Sequence, residues 1–300
     1  MYDCIIVGMG PAGMSAALYA KRSGMNTLII DSSAPGGLLN KISIVENYLG
    51  VGSISGIDLA LKMFEHVRSE EIPYKIETVT SVKNNNDYKT IYTTKGEYKT
   101  KTIIFAIGRK PKSSSIVNEE KYKNKGISYC AICDAALYKN KELVVLGGGN
   151  SAFEEAIYLS DFASKITIIV KNEISADDEL TCEAKNKNIN IMTGVSVSEF
   201  IGNDKISGVL LDNGNVINCS GVFIYYGYSA ETSFISNLNI TDDKGYIEVD
   251  NNMRTNIDGI YACGDIIKKN VYQIITACSD GAIAALSAKK YVSKHQEGLC

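Results

Sequence analysis

Residues 126–150 read G-I-S-Y-C-A-I-C-D-A-A-L-Y-K-N-K-E-L-V-V-L-G-G-G-N. Cys130 and Cys133 enclose two residues, Asp134 follows at once, and an apolar run then leads into a glycine loop. A C-x-x-C pair is read as a redox dithiol or as half of a zinc site. Zinc would need two further ligands at comparable spacing, whereas Cys182 and Cys219 stand far off and alone and no His occurs between His66 and His295. The redox reading is preferred, with zinc and inert packing cysteines as the alternatives. A dithiol and a nucleotide-type fold thus share one small domain.

Working outward, Glu142–Leu146 reads as a strand, 147–152 as a G-x-G-x-x-A loop, 153–159 as the core of a helix and Lys165–Val170 as a second strand. The chain opens by the same logic. Tyr2–Val7 is a buried-strand run ending in Gly8-Met9-Gly10-Pro11-Ala12-Gly13; an Ala-rich helix follows at 14–22, with Gly24 as its stop. A second strand at 27–30 leads to Asp31, 18 residues past Gly13. Such glycines let backbone N–H groups approach a pyrophosphate at the helix N-terminus, and the carboxylate takes ribose hydroxyls. The same count past Ala152 lands on Val170, followed by Lys171, Asn172, Glu173 and Asp177-Asp178-Glu179. NAD calls for an acid at that place and NADP for arginines. Arginine occurs at 22, 68, 109 and 254 alone, and one Lys beside several carboxylates is a poor phosphate trap.

The 300 residues favour two domains. The eight cysteines are scattered and do not resemble a secreted disulfide framework. Nothing at the N-terminus resembles a signal peptide, so a reducing cytoplasm is expected. A net charge of −3 argues against a nucleic-acid partner. No apolar run approaches the roughly 20 residues that span a bilayer, so no membrane partner is expected. Elsewhere, a helix is predicted over Gly56–Ser69, a half-exposed meander over 74–105, a linker over 110–125 and strands over 189–224. A return to the first domain is expected near 241–245, and a last helix over 279–292.

With these pieces placed, the chain resembles the low-molecular-weight thioredoxin reductases almost end to end. The likeness is carried by G-M-G-P-A-G at 8–13, G-G-L-L at 36–39 with V-E-N-Y-L-G at 45–50, and A-I-G at 106–108. It continues in C-A-I-C-D at 130–134, G-G-G-N-S-A at 147–152, and Y-A-C-G-D-I at 261–266 followed by Q-I-I-T-A at 273–277. The resemblance implies an α/β chain of two Rossmann-like three-layer domains, the second inserted into the first. An FAD-binding domain of 1–112 plus 242–300 would enclose a pyridine-nucleotide-type domain of 113–241 that carries the dithiol. It also implies a cytoplasmic homodimer, thioredoxin as substrate, and a rotation of the dithiol domain about its linkers.

Carried over position by position, Gly8, Gly10, Gly13 and Asp31 would hold the FAD diphosphate and adenosine ribose. Asn47 would lie by the isoalloxazine, the backbone of Val79 by the adenine and Asp265 on the ribityl chain, with Gln273 and Ile274 over the flavin edge. Pro11, Ala12, Gly36, Gly37, Leu38, Ala106, Gly108, Gly264 and Tyr272 fall within the same cofactor-binding motifs. Cys133 would be the flavin-side thiolate, and Cys130 would attack the target disulfide through a mixed disulfide. If the cysteines begin a helix, its N-terminal N–H groups favour a thiolate. Asp134 is placed as acid and base for the dithiol, the alternative being a helix-start acid that answers the dipole. No metal site is expected.

The departures bear on the electron donor. NADPH-using members of the resembled family carry His-Arg-Arg and, after three residues, Arg where this chain has Val170, Lys171, Asn172 and Ala176. A charge-assisted hydrogen bond contributes about 1.5–3 kcal/mol, so losing two would weaken a 2′-phosphate roughly a hundredfold or more. An Arg-Gln pair near the flavin becomes Tyr272-Gln273, an aromatic ring where a cation is expected, and Leu38 stands where many relatives place Gln. The chain is accordingly most similar to ferredoxin-dependent flavin thioredoxin reductases of anaerobic bacteria, whose flavin couples one- and two-electron steps. Lys268 and Lys269, with Lys110, Lys112, Lys121, Lys123 and Lys125, are candidates to steer an acidic ferredoxin, solvated surface being the bland alternative. An NAD(P)H-dependent enzyme with an atypical site and a flavoprotein dithiol oxidase are the other readings. Gly298-Leu299-Cys300 reads as a frayed tail or a second thiol relay.

Overall fold

The run Tyr2–Val7 buries Cys4, Ile5, Ile6 and Val7 in succession, the pattern of a strand covered on both faces. In the computed structural model, which describes residues 1–42, 44–85, 87–112 and 114–296, this strand is central. It pairs in parallel with Thr27–Asp31 on one side and with Gly96–Phe105 on the other. Tyr74–Ile76 extends the sheet in parallel beyond Thr27–Asp31, and Ile260–Ala262 adds in parallel to the end of Gly96–Phe105. Lys89–Thr93 and Val79–Asn84 continue it antiparallel, a meander over 79–105, whereas 74–76, expected to belong to it, pairs in parallel at the opposite edge of the sheet. The tail 298–300, considered above as a thiol relay, lies outside the described residues.

Helix Pro11–Arg22 follows the first strand with its Pro at the first helical position, where a missing N–H costs nothing. The C-terminal helix Ile274–Gln296, longer at both ends than the 279–292 expected, packs on it through small residues. A Cβ on Gly281 would come 2.1 Å from the Ala12 carbonyl oxygen, and Ala284, Ala285 and Ala288 are fully buried.

The chain divides into two compact units, Met1–Lys110 with Ser229–Cys300 and Pro111–Tyr228. The sequence placed these crossings at 112/113 and 241/242. The second crossing comes earlier because Ile235, Leu238, Ile240 and Ile247 are buried in one cluster with Ile5, Val7, Leu28 and Phe105 of the first unit.

The inserted unit has its own parallel sheet, in the order Asn190–Thr193, Lys165–Val170, Glu142–Leu146, Gly221–Ile224, Ile127–Ser128. A three-stranded antiparallel sheet, Val197–Gly202, Ile206–Leu211 and Val216–Asn218, accompanies it. Helix Asn150–Leu159 follows its glycine loop. Helix Asp178–Asn186, unforeseen from the sequence, buries Ala184 and carries Asp178 and Glu179 in its first turn. Its apolar period is too faint to see, while its acids suit the dipole. The fold is therefore α/β, with two Rossmann-like units, the second inserted into the first. No helix among the described residues is long and apolar enough to cross a membrane.

Candidate active site

In the inserted unit, Cys130 and Cys133 are joined by a disulfide, their Cα atoms 5.3 Å apart. Bonded to each other, they offer zinc no thiolates. Cys130 is the N-cap of helix Ala131–Asp134, which passes directly into a 3-10 turn, Ala135–Tyr138. A helix does begin at the cysteines, but it is a single turn, so a macrodipole contributes little. Asp134 lies in that first turn and caps the 3-10 turn that follows, so the helix-start reading of its charge stands beside the catalytic one.

Asp134 Oδ2 accepts from the Ser128 hydroxyl at 2.6 Å, and Ser128 Oγ accepts the Cys130 N–H at 3.2 Å. Ser128, which sequence reasoning passed over, therefore ties the acid to the first cysteine. Burial pushes the Asp134 carboxyl above its usual range, with the Ser128 bond pulling the other way. The Ala131 N–H donates to the Tyr225 hydroxyl at 2.9 Å. Ile132, between the cysteines, is half exposed, as is Leu137, so the dithiol lies at an apolar, reachable surface. By contrast, burial pushes the Cys4 and Cys219 thiols up to about 12, which makes them poor nucleophiles.

The glycine loop of the same unit is engaged by its own chain. Gly148 O accepts the N–H groups of Ser175 and Ala176 at 2.7 and 2.9 Å. Asn150 and Asp177 are reciprocally bonded, Nδ2 to Oδ2 at 2.8 Å and the Asp177 N–H to Oδ1 at 2.9 Å. A Cβ on Gly148 would come 2.6 Å from Val170 Cγ1, the position that would carry the ribose acid. Beside it, past the ends of Lys165–Val170 and Asn190–Thr193, opens a cavity of about 490 Å³ lined by Asn172, Glu173, Ile174, Thr193 and Gly194. Its lining offers one carboxylate and no cation, the reverse of what a 2′-phosphate requires.

The first unit's loop carries the same kind of bond, Met9 O accepting the Gly36 N–H at 2.8 Å, but has an acid in place. Gly8 has φ +111° and Gly13 packs so closely that a Cβ there would lie 1.9 Å from the Gly8 carbonyl oxygen. At Gly10, the N-cap of Pro11–Arg22, a Cβ would meet nothing within 4 Å: the helix entrance is open. Gly37 borders that opening, its ideal Cβ 3.4 Å from Gly10 Cα, and Gly36, at φ +118°, is wedged against Ala60 and Asn40. Leu38 is half-buried in the following turn. Asp31 accepts from the Met9 N–H at 2.5 Å and from the Ser33 N–H at 2.9 Å, which holds the loop to the end of the second strand. Ala106 is buried against Gly8, and Gly108 follows with φ +63°. Gly264, at φ +77°, sets its backbone on Ala12. A dinucleotide pyrophosphate fits this entrance on both counts, free backbone N–H groups and open space.

Asn47 and Gln273, distant in sequence, meet through Nδ2 and Oε1 at 3.1 Å, and Ile274 packs by Leu39, Val45 and Tyr48. Val79 opens its strand opposite Thr93, and the structure provides nothing further about its part in a site. The aromatic side chain at Tyr272 does not leave the site without a cation, as its sequence suggested: the Arg109 guanidinium lies 3.5 Å over its ring. Arg109 Nε is 3.7 Å from Asp265, Lys269 Nζ is 3.9 Å from it, and Lys269 is also bonded to Asp280 at 2.7 Å. Burial raises Asp265, while Arg109 and then Lys269 hold it down. Lys269 is thus committed internally. Lys110 pairs with Glu231, Lys123 with Glu120, and Lys121 bonds to the Tyr122 hydroxyl. Of the seven lysines inferred from sequence, Lys110, Lys123 and Lys269 are thus ion-paired, while Lys112, Lys121, Lys125 and Lys268 are exposed.

A reducible pair beside a buried acid, on a chain whose other unit presents an open dinucleotide entrance, defines a nucleotide-linked disulfide oxidoreductase. The family profile described as "Pyridine nucleotide-disulphide oxidoreductase" matches residues 2–281, and the chain belongs to that family. Within it, the chain is of the thioredoxin reductase type, a flavin-dependent disulfide oxidoreductase, and its homologues are FAD flavoproteins. A thioredoxin reductase of Bacillus subtilis is 39% identical over 307 aligned positions, covering 100% of this chain and 97% of that protein. The crystal structure of thioredoxin reductase from Streptococcus pyogenes is 42% identical, with a TM-score of 0.93, covering 98% of this chain and 99% of that one. A ferredoxin-flavin thioredoxin reductase from Clostridium acetobutylicum is 33% identical, with a TM-score of 0.56 and 99% of both chains covered.

Proposed function

We propose that the chain reduces a thioredoxin-type protein disulfide with electrons that ferredoxin delivers to its FAD, in the cytoplasm and as a homodimer. The observation that carries the choice of donor is the chemistry around the second glycine loop, with Val170 where the ribose acid would stand, Glu173 at its border and no arginine anywhere from 110 to 253. The Bacillus subtilis and Streptococcus pyogenes relatives, 39% and 42% identical, are named thioredoxin reductase without mention of ferredoxin, and the ferredoxin-flavin enzyme is more distant at 33%. The donor therefore rests on this chain's residues.

In this reading the first unit is the FAD-binding domain. Gly8, Gly10, Pro11, Ala12 and Gly13 receive the diphosphate, and Asp31 the adenosine ribose. Val79 lies by the adenine, and Gly36, Gly37, Leu38, Ala106 and Gly108 wall the path between. Asn47, Gln273 and Ile274 border the flavin ring, and Gly264 and Asp265 the ribityl chain. Tyr272, stacked under Arg109, fixes a positive charge beside Asp265. FAD, when bound, supplies the coupling of single electrons to the electron pair that a disulfide accepts. Asp134, held by Ser128 and with its carboxyl pushed upward by burial, is the proton donor to the sulfur that leaves when the disulfide opens. Cys133 takes the flavin-side role and Cys130 attacks the partner disulfide.

Anaerobic mixing tests the donor. Reduced ferredoxin is expected to bleach the oxidised flavin, and added thioredoxin to restore its colour, while NADPH and NADH leave it yellow. Rapid bleaching by NADPH would transfer the chain to the pyridine-nucleotide enzymes. Reduction by a small dithiol with rapid oxygen uptake would make it an oxidase.

A further inference from the structure

The strands Tyr74–Ile76 and Val79–Asn84 stand at opposite edges of the first unit's sheet, yet only Glu77 and Thr78 separate them in the chain. Five strand spacings of about 4.8 Å would set the edges of a flat sheet about 24 Å apart. The three Cα steps from Ile76 to Val79 reach about 11 Å at most. The sheet therefore folds over until the ends of these two strands meet at Glu77. The fold-over lies in Gly96–Phe105, which pairs with Lys89–Thr93 through Gly96–Thr100 and with Tyr2–Val7 through Thr100–Phe105.

Glu77 closes that junction from both sides. Its N–H donates to the Asp31 carbonyl at 2.8 Å. Its carboxylate accepts the Thr93 hydroxyl at 2.7 Å, and the Tyr98 hydroxyl lies 3.0 Å from each of its oxygens. The residue is buried, so these hydroxyls replace the water that a carboxylate would otherwise keep. The Thr93 bond, followed by Tyr98, Lys95 and Lys75, holds the carboxyl below its usual range against the opposing effect of burial. A second tie runs alongside, Lys95 Nζ donating to the Ile76 carbonyl at 3.0 Å. On one side of the junction stands Asp31, whose carboxylate suits ribose hydroxyls. On the other stands Val79, paired with the same Thr93 that bonds to Glu77.

We propose that Glu77 is a positioning residue for the dinucleotide: by tying the Asp31 strand to the meander through Thr93 and Tyr98, it sets the separation of the two segments that take the adenosine end. The inference rests on the reading of this unit as the FAD-binding domain and is independent of the electron donor and the dithiol. Glu77 itself is assigned no bond to the cofactor, since its oxygens are engaged by the two hydroxyls.

The test uses the full-length flavoprotein. Glu77→Gln keeps the size of the side chain but gives up one accepting oxygen. FAD should leave this variant about tenfold faster on dilution, with the visible absorption bands of the bound flavin at their wild-type wavelengths. Adenosine diphosphate carries the adenosine end without the ring, and it should bind the full-length variant freed of FAD about tenfold more weakly than the wild type. Tyr98→Phe removes one hydroxyl from a retained ring, which guards against misfolding of the Glu77 variant. It should weaken adenosine diphosphate in the same direction, and the double variant should lose less than the sum of the two, because they share one bond. A Glu77→Gln protein that releases FAD and binds adenosine diphosphate as the wild type does would overturn the proposal. So would faster release of FAD with an unchanged affinity for adenosine diphosphate, or fully additive losses in the double variant. Should the wild type hold neither FAD nor adenosine diphosphate, the flavin-binding reading of this unit itself falls, and this inference with it.

Discussion

Two glycines three residues apart give opposite expectations. Gly10 has φ −75° and ψ −179°, ordinary extended backbone, and its ideal Cβ meets nothing within 4 Å. Gly10→Ala therefore costs the protein little: reduced unfolded-state entropy stabilises by about 0.4–1 kcal/mol, and loss of an N-cap glycine offsets a similar amount. At Gly13 the ideal Cβ lies 1.9 Å from the Gly8 carbonyl oxygen, about 1.5 Å inside the 3.4 Å edge of ordinary contact. A backbone oxygen cannot rotate away, so Gly13→Ala falls at the upper end of the roughly 1–3 kcal/mol of overpacking. At about 2–4 °C per kcal/mol, that lowers the melting temperature by roughly 5–10 °C. The cofactor reverses the ranking. A methyl group at Gly10 stands in the open helix entrance, and losing one or two charge-assisted bonds of about 1.5–3 kcal/mol each weakens FAD by at least tenfold. Apoprotein melting and fluorescence titration with FAD separate the two effects. A Gly10→Ala protein that binds FAD as the wild type does, or a Gly13→Ala protein that melts with it, would refute the geometry proposed for the cradle.

Asp134→Asn keeps an acceptor for Ser128 but cannot deliver a proton, so turnover should fall about a hundredfold or more. Because burial raises the folded carboxyl, the folded chain retains a proton that the unfolded chain releases near pH 3.9. Wild-type stability therefore falls as pH climbs from there to the raised value. The variant should lack that slope, gaining on the wild type in melting temperature across the window, and equal slopes would contradict the burial. Installing Lys171→Arg, Asn172→Arg and Ala176→Arg together should raise the rate of flavin bleaching by NADPH more than by NADH. An unchanged NADPH rate would refute the missing charge as what bars the nucleotide.

Both glycine loops, their strands and the C-x-x-C-Asp run were legible because each is a short-range device in which a few consecutive residues bend the chain or sit on one turn. Asp31 could be counted to, and Val170 in its place was equally visible. Helix Asp178–Asn186 was not, because it buries little more than Ala184 and so leaves no apolar period. The crossing at Tyr228 was misplaced because its neighbours Ile235 to Ile247 reveal their unit through the cluster they join. Arg109 could have been flagged as the one arginine between 69 and 253, but that signal names no partner.

What the sequence by itself determined was a two-nucleotide-fold chain with a dithiol and one ribose acid where two were possible, since spacing along the backbone carries that information. What only the tertiary structure decided were the meetings of residues far apart in the chain. These are Arg109 over Tyr272, Asn47 with Gln273, and Tyr225 at the Ala131 amide. Such contacts depend on where the sheets carry each segment and on which polar groups burial then obliges to share a partner.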